Sequence, residues 1–113
     1  MHEYSIVQSL LDSCEEHAKQ NESTNVTKVV VKIGVLSGVE PDLLQTAFDT
    51  FKEKTVCENA QFIINHQKVV IECLDCNTTS TLEKNEFFCP KCNSNMIKVV
   101  DGEEMYLMSL ELN

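Results

Sequence analysis

Two cysteine pairs constrain this chain more than anything else in it: Cys73-Leu74-Asp75-Cys76 and, after twelve intervening residues, Cys89-Pro90-Lys91-Cys92. Each pair can fold as a tight knuckle presenting two thiolates, and two knuckles close a tetrahedron around one ion. Four sulfur donors with no fifth donor beside them make a closed site, which holds structure together and leaves no open position for a substrate. The spacing therefore points to a structural Zn(II) on Cys73, Cys76, Cys89 and Cys92.

A chain of 113 residues is about one small domain, or a small domain with a metal-stapled appendage. Such a domain buries a limited share of its surface, so a metal staple is expected on size alone. Eighteen acidic residues against nine Lys and Arg give a formal charge of −9, which repels phosphate backbones and disfavours a nucleic-acid-binding ribbon. An acidic surface suits protein partners or cations instead. Met1-His2-Glu3-Tyr4-Ser5 has no basic run and no apolar core of signal-peptide length, and no apolar stretch approaches a membrane span. The expected location is cytoplasmic, with no membrane contact. In a reducing compartment the six cysteines are metal ligands and free thiols rather than disulfides. Cys14 and Cys57, each solitary in sequence, are expected as small buried apolar residues.

Along the chain, Ile6, Val7, Leu10, Leu11, Cys14 and Ala18 recur at helical spacing, so residues 5–19 form an amphipathic helix. Ser5 and Gln8 have capping-box spacing, which starts that helix at Ser5 and leaves Met1 to Tyr4 as a short free arm. His17, beside the apolar stripe, is expected to be packed or hydrogen-bonded rather than a ligand, and nothing assigns a role to His66. Thr27 to Ile33 is a strand with Val29, Val31 and Ile33 on one face. Gly34, Ser37 and Gly38 break it into a loop. Glu40-Pro41-Asp42 opens a second helix, with Pro at the first turn and acid at the positive end of the dipole; Leu43, Leu44, Ala47, Phe48 and Phe51 are its buried stripe.

Gln61 to Gln67 is the next strand, and a third follows far downstream, where Tyr106, Met108, Leu110 and Leu112 alternate with Leu107, Ser109 and Glu111 after an Asp101-Gly102 turn. The fold class is α+β: a small three-stranded sheet with two helices, plus an inserted zinc-ribbon domain built on the four paired cysteines. The partition is 1–68 with 102–113 for a discontinuous α/β domain, and 69–101 for the zinc-binding domain. Val69 to Ile71, Phe87 to Phe88 and Met96 to Val100 are expected as the ribbon's short strands.

The combination of Met1-His2-Glu3-Tyr4-Ser5, Gly34 with Ser37-Gly38, the paired CxxC motifs and a C-terminal strand resembles the HypA family of nickel-insertion accessory proteins. The likeness spans essentially the whole chain. It implies a nickel metallochaperone with a nickel-binding α/β domain beginning at Met-His-Glu and a structural zinc domain on the two CxxC pairs. It implies delivery of Ni(II) to the large subunit of [NiFe] hydrogenase together with the GTPase HypB, and a further link to urease maturation through a urease accessory protein. It places the nickel donors at the Met1 amine, the His2 ring and backbone nitrogen, and the Glu3 backbone nitrogen. Some members carry histidines beside the CxxC pairs; Asn77 and Asn93 stand there in this sequence, so a histidine-based pH switch is not carried over.

The tripeptide has chemistry of its own. An α-amine, a neighbouring imidazole and deprotonated amide nitrogens wrap one cation in fused chelate rings and favour square-planar Ni(II) or Cu(II). A lone histidine near an N-terminus is ordinarily an exposed, unligated side chain, and Glu40 is ordinarily a helix N-terminal charge. No phosphate-binding glycine loop and no nucleophile motif is present, so the chain is expected not to be an enzyme, and to act as a monomer or weak homodimer. Two other readings compete: a zinc-ribbon adaptor without nickel, and a rubredoxin-like iron electron carrier. Cys89-Pro90-Lys91-Cys92 echoes the rubredoxin knuckle, but Asn77 and Asn93 replace the glycine that follows each pair there.

Overall fold

The computed structural model describes residues 2–84 and 86–113, and for His2 the backbone only. The elements are α1 (His2–Gln20), β1 (Val26–Gly34), α2 (Pro41–Phe51), β2 (Gln61–Gln67), β3 (Val70–Cys73), β4 (Thr79–Thr81), β5 (Ile97–Asp101) and β6 (Met105–Leu112). They form two three-stranded sheets, ordered β2-β1-β6 and β4-β3-β5. The chain divides into two compact units, one of Met1–Lys32, Val39–Asn65 and Tyr106–Asn113, the other of Ile33–Gly38 and His66–Met105.

In the first unit the helical stripe packs as its spacing predicts. Val7, Leu10, Leu11, Cys14 and Ala18 of α1 are buried, as are Val29 and Val31 of β1. The start of α1 differs from expectation. Its helix begins at His2 and not at Ser5, so His2 to Tyr4 form a first turn and not a free arm. The cause is tertiary: Glu3, only 8% exposed, accepts a hydrogen bond from the Glu40 N–H at 3.1 Å. That contact supplies order which the local sequence does not encode.

Glu40 is the N-cap of α2, its carboxylate accepting from the Asp42 N–H at 3.4 Å, with Pro41 at the first turn. The α2 stripe is narrower than expected. Leu44, Ala47 and Phe48 are buried, whereas Leu43 is 57% and Phe51 44% exposed. Phe48 stacks on Phe62 of β2 with centroids 4.2 Å apart, and Tyr4 meets Phe51 edge-to-face at 5.4 Å. An eleven-residue helix on a three-stranded sheet buries one row of side chains, and the flanking row stays open.

Cys14 and Cys57 are both fully buried, and they are not solitary: their side chains are hydrogen-bonded to each other. Cys14 donates, which together with burial and the neighbouring Cys57 pushes its thiol well above the ordinary range. Cys57 accepts, and that bond lowers its pKa against the effects of burial and Glu15. His17 is exposed, its Nδ1–H donating to the Ser13 carbonyl at 2.8 Å.

The alternation expected of β6 is not what its burial follows. Leu107, Leu110 and Leu112 are half-buried, while Tyr106 and the consecutive pair Met108 and Ser109 are exposed. β6 lies at a sheet edge, where side chains are covered incompletely on either face. Lys32 lies over the Tyr106 ring at 5.2 Å and Lys28 pairs with Glu111 at 3.3 Å.

In the second unit, β3 pairs antiparallel with β4 and β5, with Ile71 opposite Ser80 on one side and Val99 on the other. Val69, Ile71 and Leu82 form its small core, with Ile97 and Val99 packed against them. The expected strand at Phe87 to Phe88 is absent; Thr79–Thr81 takes its place, because it follows the first knuckle directly and lies back along β3. Gly34 and Gly102 approach so closely that a Cβ on Gly34 would sit 2.3 Å from the Gly102 carbonyl. Gly102 has φ +102°, and its carbonyl accepts from the Leu36 N–H at 2.8 Å.

Candidate metal centre

The two CxxC segments fold as near-copies of each other. Cys73 N–H donates to the Thr78 carbonyl at 2.9 Å and Cys89 N–H to the Ser94 carbonyl at 2.8 Å. Asn77 N–H donates back to the Cys73 carbonyl at 3.0 Å, and Asn93 N–H to the Cys89 carbonyl at 2.8 Å. Both asparagines are left-handed, with φ +57° and +62°. Asn is among the few residues with a side chain that enter this region readily, so here it does the conformational work of the glycine in a rubredoxin knuckle. The substitution at these two positions therefore does not discriminate against iron, contrary to the sequence argument.

The knuckles are also tied to one another. The Ser94 hydroxyl donates to the Asp75 carboxylate, and Leu74 N–H donates to the Met96 carbonyl at 2.9 Å. This brings the four sulfurs of Cys73, Cys76, Cys89 and Cys92 within 4.8 Å of one another. Cys73 and Cys92 sulfurs are 3.6 Å apart, as are those of Cys76 and Cys89. Zn–S bonds of about 2.3 Å in a tetrahedron put sulfurs about 3.8 Å apart, so the donor set fits one tetrahedral ion. Among the described residues this is the one group of His, Cys, Asp or Glu that gathers enough donors to hold a metal.

Electrostatics within the group point the same way. The Cys89 sulfur faces the N–H groups of Cys92 and Lys91 and is lowered to about 6. The N–H of Ser94 pulls Cys92 down, but hydrogen bonding with Cys73, with burial and the sulfurs of Cys89 and Cys76, pushes it up to about 12. Apposed sulfurs that cannot all ionise share protons, and a divalent cation replaces those protons. Cys73 and Cys89 are fully buried; Cys76 and Cys92 lie at the surface.

The sequence matches the family described as hydrogenase/urease nickel incorporation, metallochaperone, HypA over residues 1–112. The chain belongs to the HypA family. It is similar to the hydrogenase maturation factor HypA of Shewanella oneidensis, with 53% identity over 112 residues that take in 99% of this chain and 95% of that protein. The HypA of Aquifex aeolicus is 53% identical over 112 residues, covering 99% of this chain and 97% of its own. A solved HypA structure superposes with TM-score 0.77 at 42% identity over 100% of this chain and 97% of that one. The Ni metallochaperone HypA from Helicobacter pylori gives 0.69 at 41% identity over 97% and 96% of the two chains. The HypA family is one of nickel metallochaperones for hydrogenase maturation, and the chain is not an enzyme.

Met1 lies outside the described residues, and of His2 only the helical backbone is described. Glu3 is the described member of that tripeptide, its backbone in the first turn of α1 and its carboxylate on Glu40. Glu40 itself is a helix cap, as its position suggests. Sequence reasoning missed the hydroxyl residues Thr78 and Ser94, which follow each CxxC by two positions and contact the sulfurs or their knuckle. Their signal was available: a Ser or Thr at the same offset in both repeats. Among the described residues no helix is long and apolar enough to cross a membrane.

Proposed function

We propose that the chain captures one Ni(II) at its N-terminus and passes it to the large subunit of [NiFe] hydrogenase during maturation, acting with HypB. Zn(II) on Cys73, Cys76, Cys89 and Cys92 holds the cysteine module together. The nickel donors are the Met1 amine, the His2 ring and backbone nitrogen, and the Glu3 backbone nitrogen. Residues 1–68 with 102–113 carry the nickel site and 69–101 the zinc, in a cytoplasmic protein that is a monomer or weak homodimer.

Family membership over residues 1–112 carries this reading. The backbone at the start of α1 supports it. The first four N–H groups of a helix have no intrahelical acceptor, so the His2 and Glu3 amides can lose their protons to a metal without breaking the α1 ladder. Deprotonated amide nitrogens then set a square-planar field that suits Ni(II) and that zinc does not share. Protons compete for every one of these donors, so nickel is held less tightly as pH falls. Release proceeds by ligand exchange, for which an N-terminal chelate is open and a closed four-thiolate site is not. Zinc is the assigned occupant of that closed site because a metallochaperone calls for a redox-inert staple. Urease is the second recipient in this reading, since the family description names it.

The test is nickel stoichiometry and absorption spectroscopy on protein beginning at Met1. About one diamagnetic, square-planar nickel per chain is expected. His2→Ala, and separately two residues added ahead of Met1, should each abolish it. Unchanged nickel binding in either variant sinks the proposal and leaves a zinc-ribbon adaptor as the better reading.

A further inference from the structure

The two knuckles share a backbone but not the hydrogen bonds reaching their sulfurs. Two of the four sulfurs are shielded outright: Cys73 and Cys89 are fully buried. Cys73 also receives the Cys76 N–H at 3.4 Å, and Cys89 the N–H groups of Cys92 and Lys91. The two surface ligands are Cys76 and Cys92, the second being the more exposed.

Cys76 receives the Thr78 hydroxyl at 2.7 Å and the Thr78 N–H besides. Cys92 receives the Ser94 N–H at the matching position, but the Ser94 hydroxyl is turned away. It donates to Asp75 of the opposite knuckle and accepts from the Met96 N–H at 3.0 Å. Among the described residues, then, the same offset that gives one exposed sulfur a hydroxyl donor gives the other none. Hydrogen bonds to a ligating thiolate draw charge off the sulfur, making it a weaker nucleophile and a less easily displaced ligand.

We propose that Cys92 is the reactive ligand of the four-thiolate site, the one at which a soft electrophile attacks and the site first opens. With iodoacetamide as the electrophile, the Cys92 electron pair forms the S–C bond, the C–I bond breaks and iodide leaves. The product is a neutral thioether that no longer neutralises the cation. Thr78 and Asp75 are positioning residues in this scheme: one quiets Cys76, the other keeps the Ser94 hydroxyl off Cys92. The proposal rests on the zinc reading of the four cysteines and does not involve nickel.

The experiment begins with zinc content, which tests that reading by itself; a chain that binds no zinc removes both. Zinc-loaded protein is then treated with limiting iodoacetamide, digested, and the modified fraction of each cysteine followed by mass spectrometry. Cys92 should react first among the four ligands, faster than Cys76 by about fivefold, the factor one ordinary hydrogen bond makes. Thr78→Val should raise the Cys76 rate to that of Cys92, and Asp75→Ala, which frees the Ser94 hydroxyl, should slow Cys92. Prior modification of Cys73, Cys76 or Cys89 in the unmutated protein overturns the assignment, and that order stands as a test even where a variant loses zinc. A zinc-loaded Thr78→Val protein with an unchanged Cys76 rate overturns the hydrogen-bond account.

Discussion

The Glu3 carboxylate accepts the Glu40 N–H at 3.1 Å, tying the first turn of α1 to the cap of α2 across 37 positions of sequence. Both ends of this contact are helix N-termini, where N–H groups lack intrahelical acceptors and negative charge is favoured. Glu3→Ala should lower stability by about 1.5–3 kcal/mol, the scale of a charge-assisted hydrogen bond. Glu3→Gln keeps a carbonyl oxygen and should lose less. Urea unfolding with an unchanged slope reads the difference, and faster amide exchange at Val7 and Gln8, whose N–H groups bond within the opening turns, would place it in α1. An alanine variant as stable as the parent refutes the anchoring role.

Gly34 is fixed by proximity more than by its own backbone angles. An added Cβ would lie 2.3 Å from both the carbonyl carbon and oxygen of Gly102, and 2.9 Å from the Glu103 nitrogen. All three are backbone atoms, so no flexible side chain can yield. Gly34→Ala should therefore cost about 3 kcal/mol, the upper range of overpacking, whereas Gly38→Ala meets no neighbour and suffers only from its φ of +78°. Thermal unfolding of the two variants side by side separates crowding from backbone preference. Equal losses would mean that the Gly34 to Gly102 approach relaxes freely.

Much of this molecule can be read from local pattern, and the failures share one cause. The four cysteines announce their cluster because ligand spacing is a local property. Val7, Leu10, Leu11, Cys14 and Ala18 announce a buried face because helical periodicity is local too. The start of α1 is not local, since Glu3 is held by a residue that no window around it contains. Nor is the pairing of Cys14 with Cys57, which only the packing of the first unit brings together. Phe87 and Phe88 have strand propensity, but Thr79–Thr81 is the segment that meets β3. The Met1 amine and His2 ring enter the proposed nickel site through family likeness alone, since one histidine makes no pattern.

Asn77 and Asn93 make a sharper case, because their residue type bears on φ and not on the metal. Each holds the left-handed turn that closes its knuckle. Asn→Gly at either position should leave folding and zinc content nearly unchanged. Asn→Val should cost about 1–2 kcal/mol, because a branched side chain collides with the backbone in that conformation. Zinc retention against a competing chelator measures the effect. A valine variant that holds zinc as tightly as the parent shows that the turn can be remade another way.

The proton arrangement of the thiolates sets the pH dependence of metal binding at the four cysteines. Without a cation the Cys92 thiol is pushed up to about 12, so at neutral pH it carries a proton that an incoming ion must expel. Cys89, lowered to about 6, is already mostly ionised at that pH and releases less. Zinc binding at pH 7 should therefore liberate protons and tighten as pH rises, about tenfold per unit for each proton expelled. Below pH 6 the Cys89 thiol also fills, so the slope should steepen there. Calorimetry in buffers of different ionisation enthalpy counts the protons directly. Affinity independent of pH between 6 and 8 would mean that zinc enters a site whose four sulfurs are already ionised. Opposed thiolates within 4.8 Å of one another make that state costly in the absence of a cation.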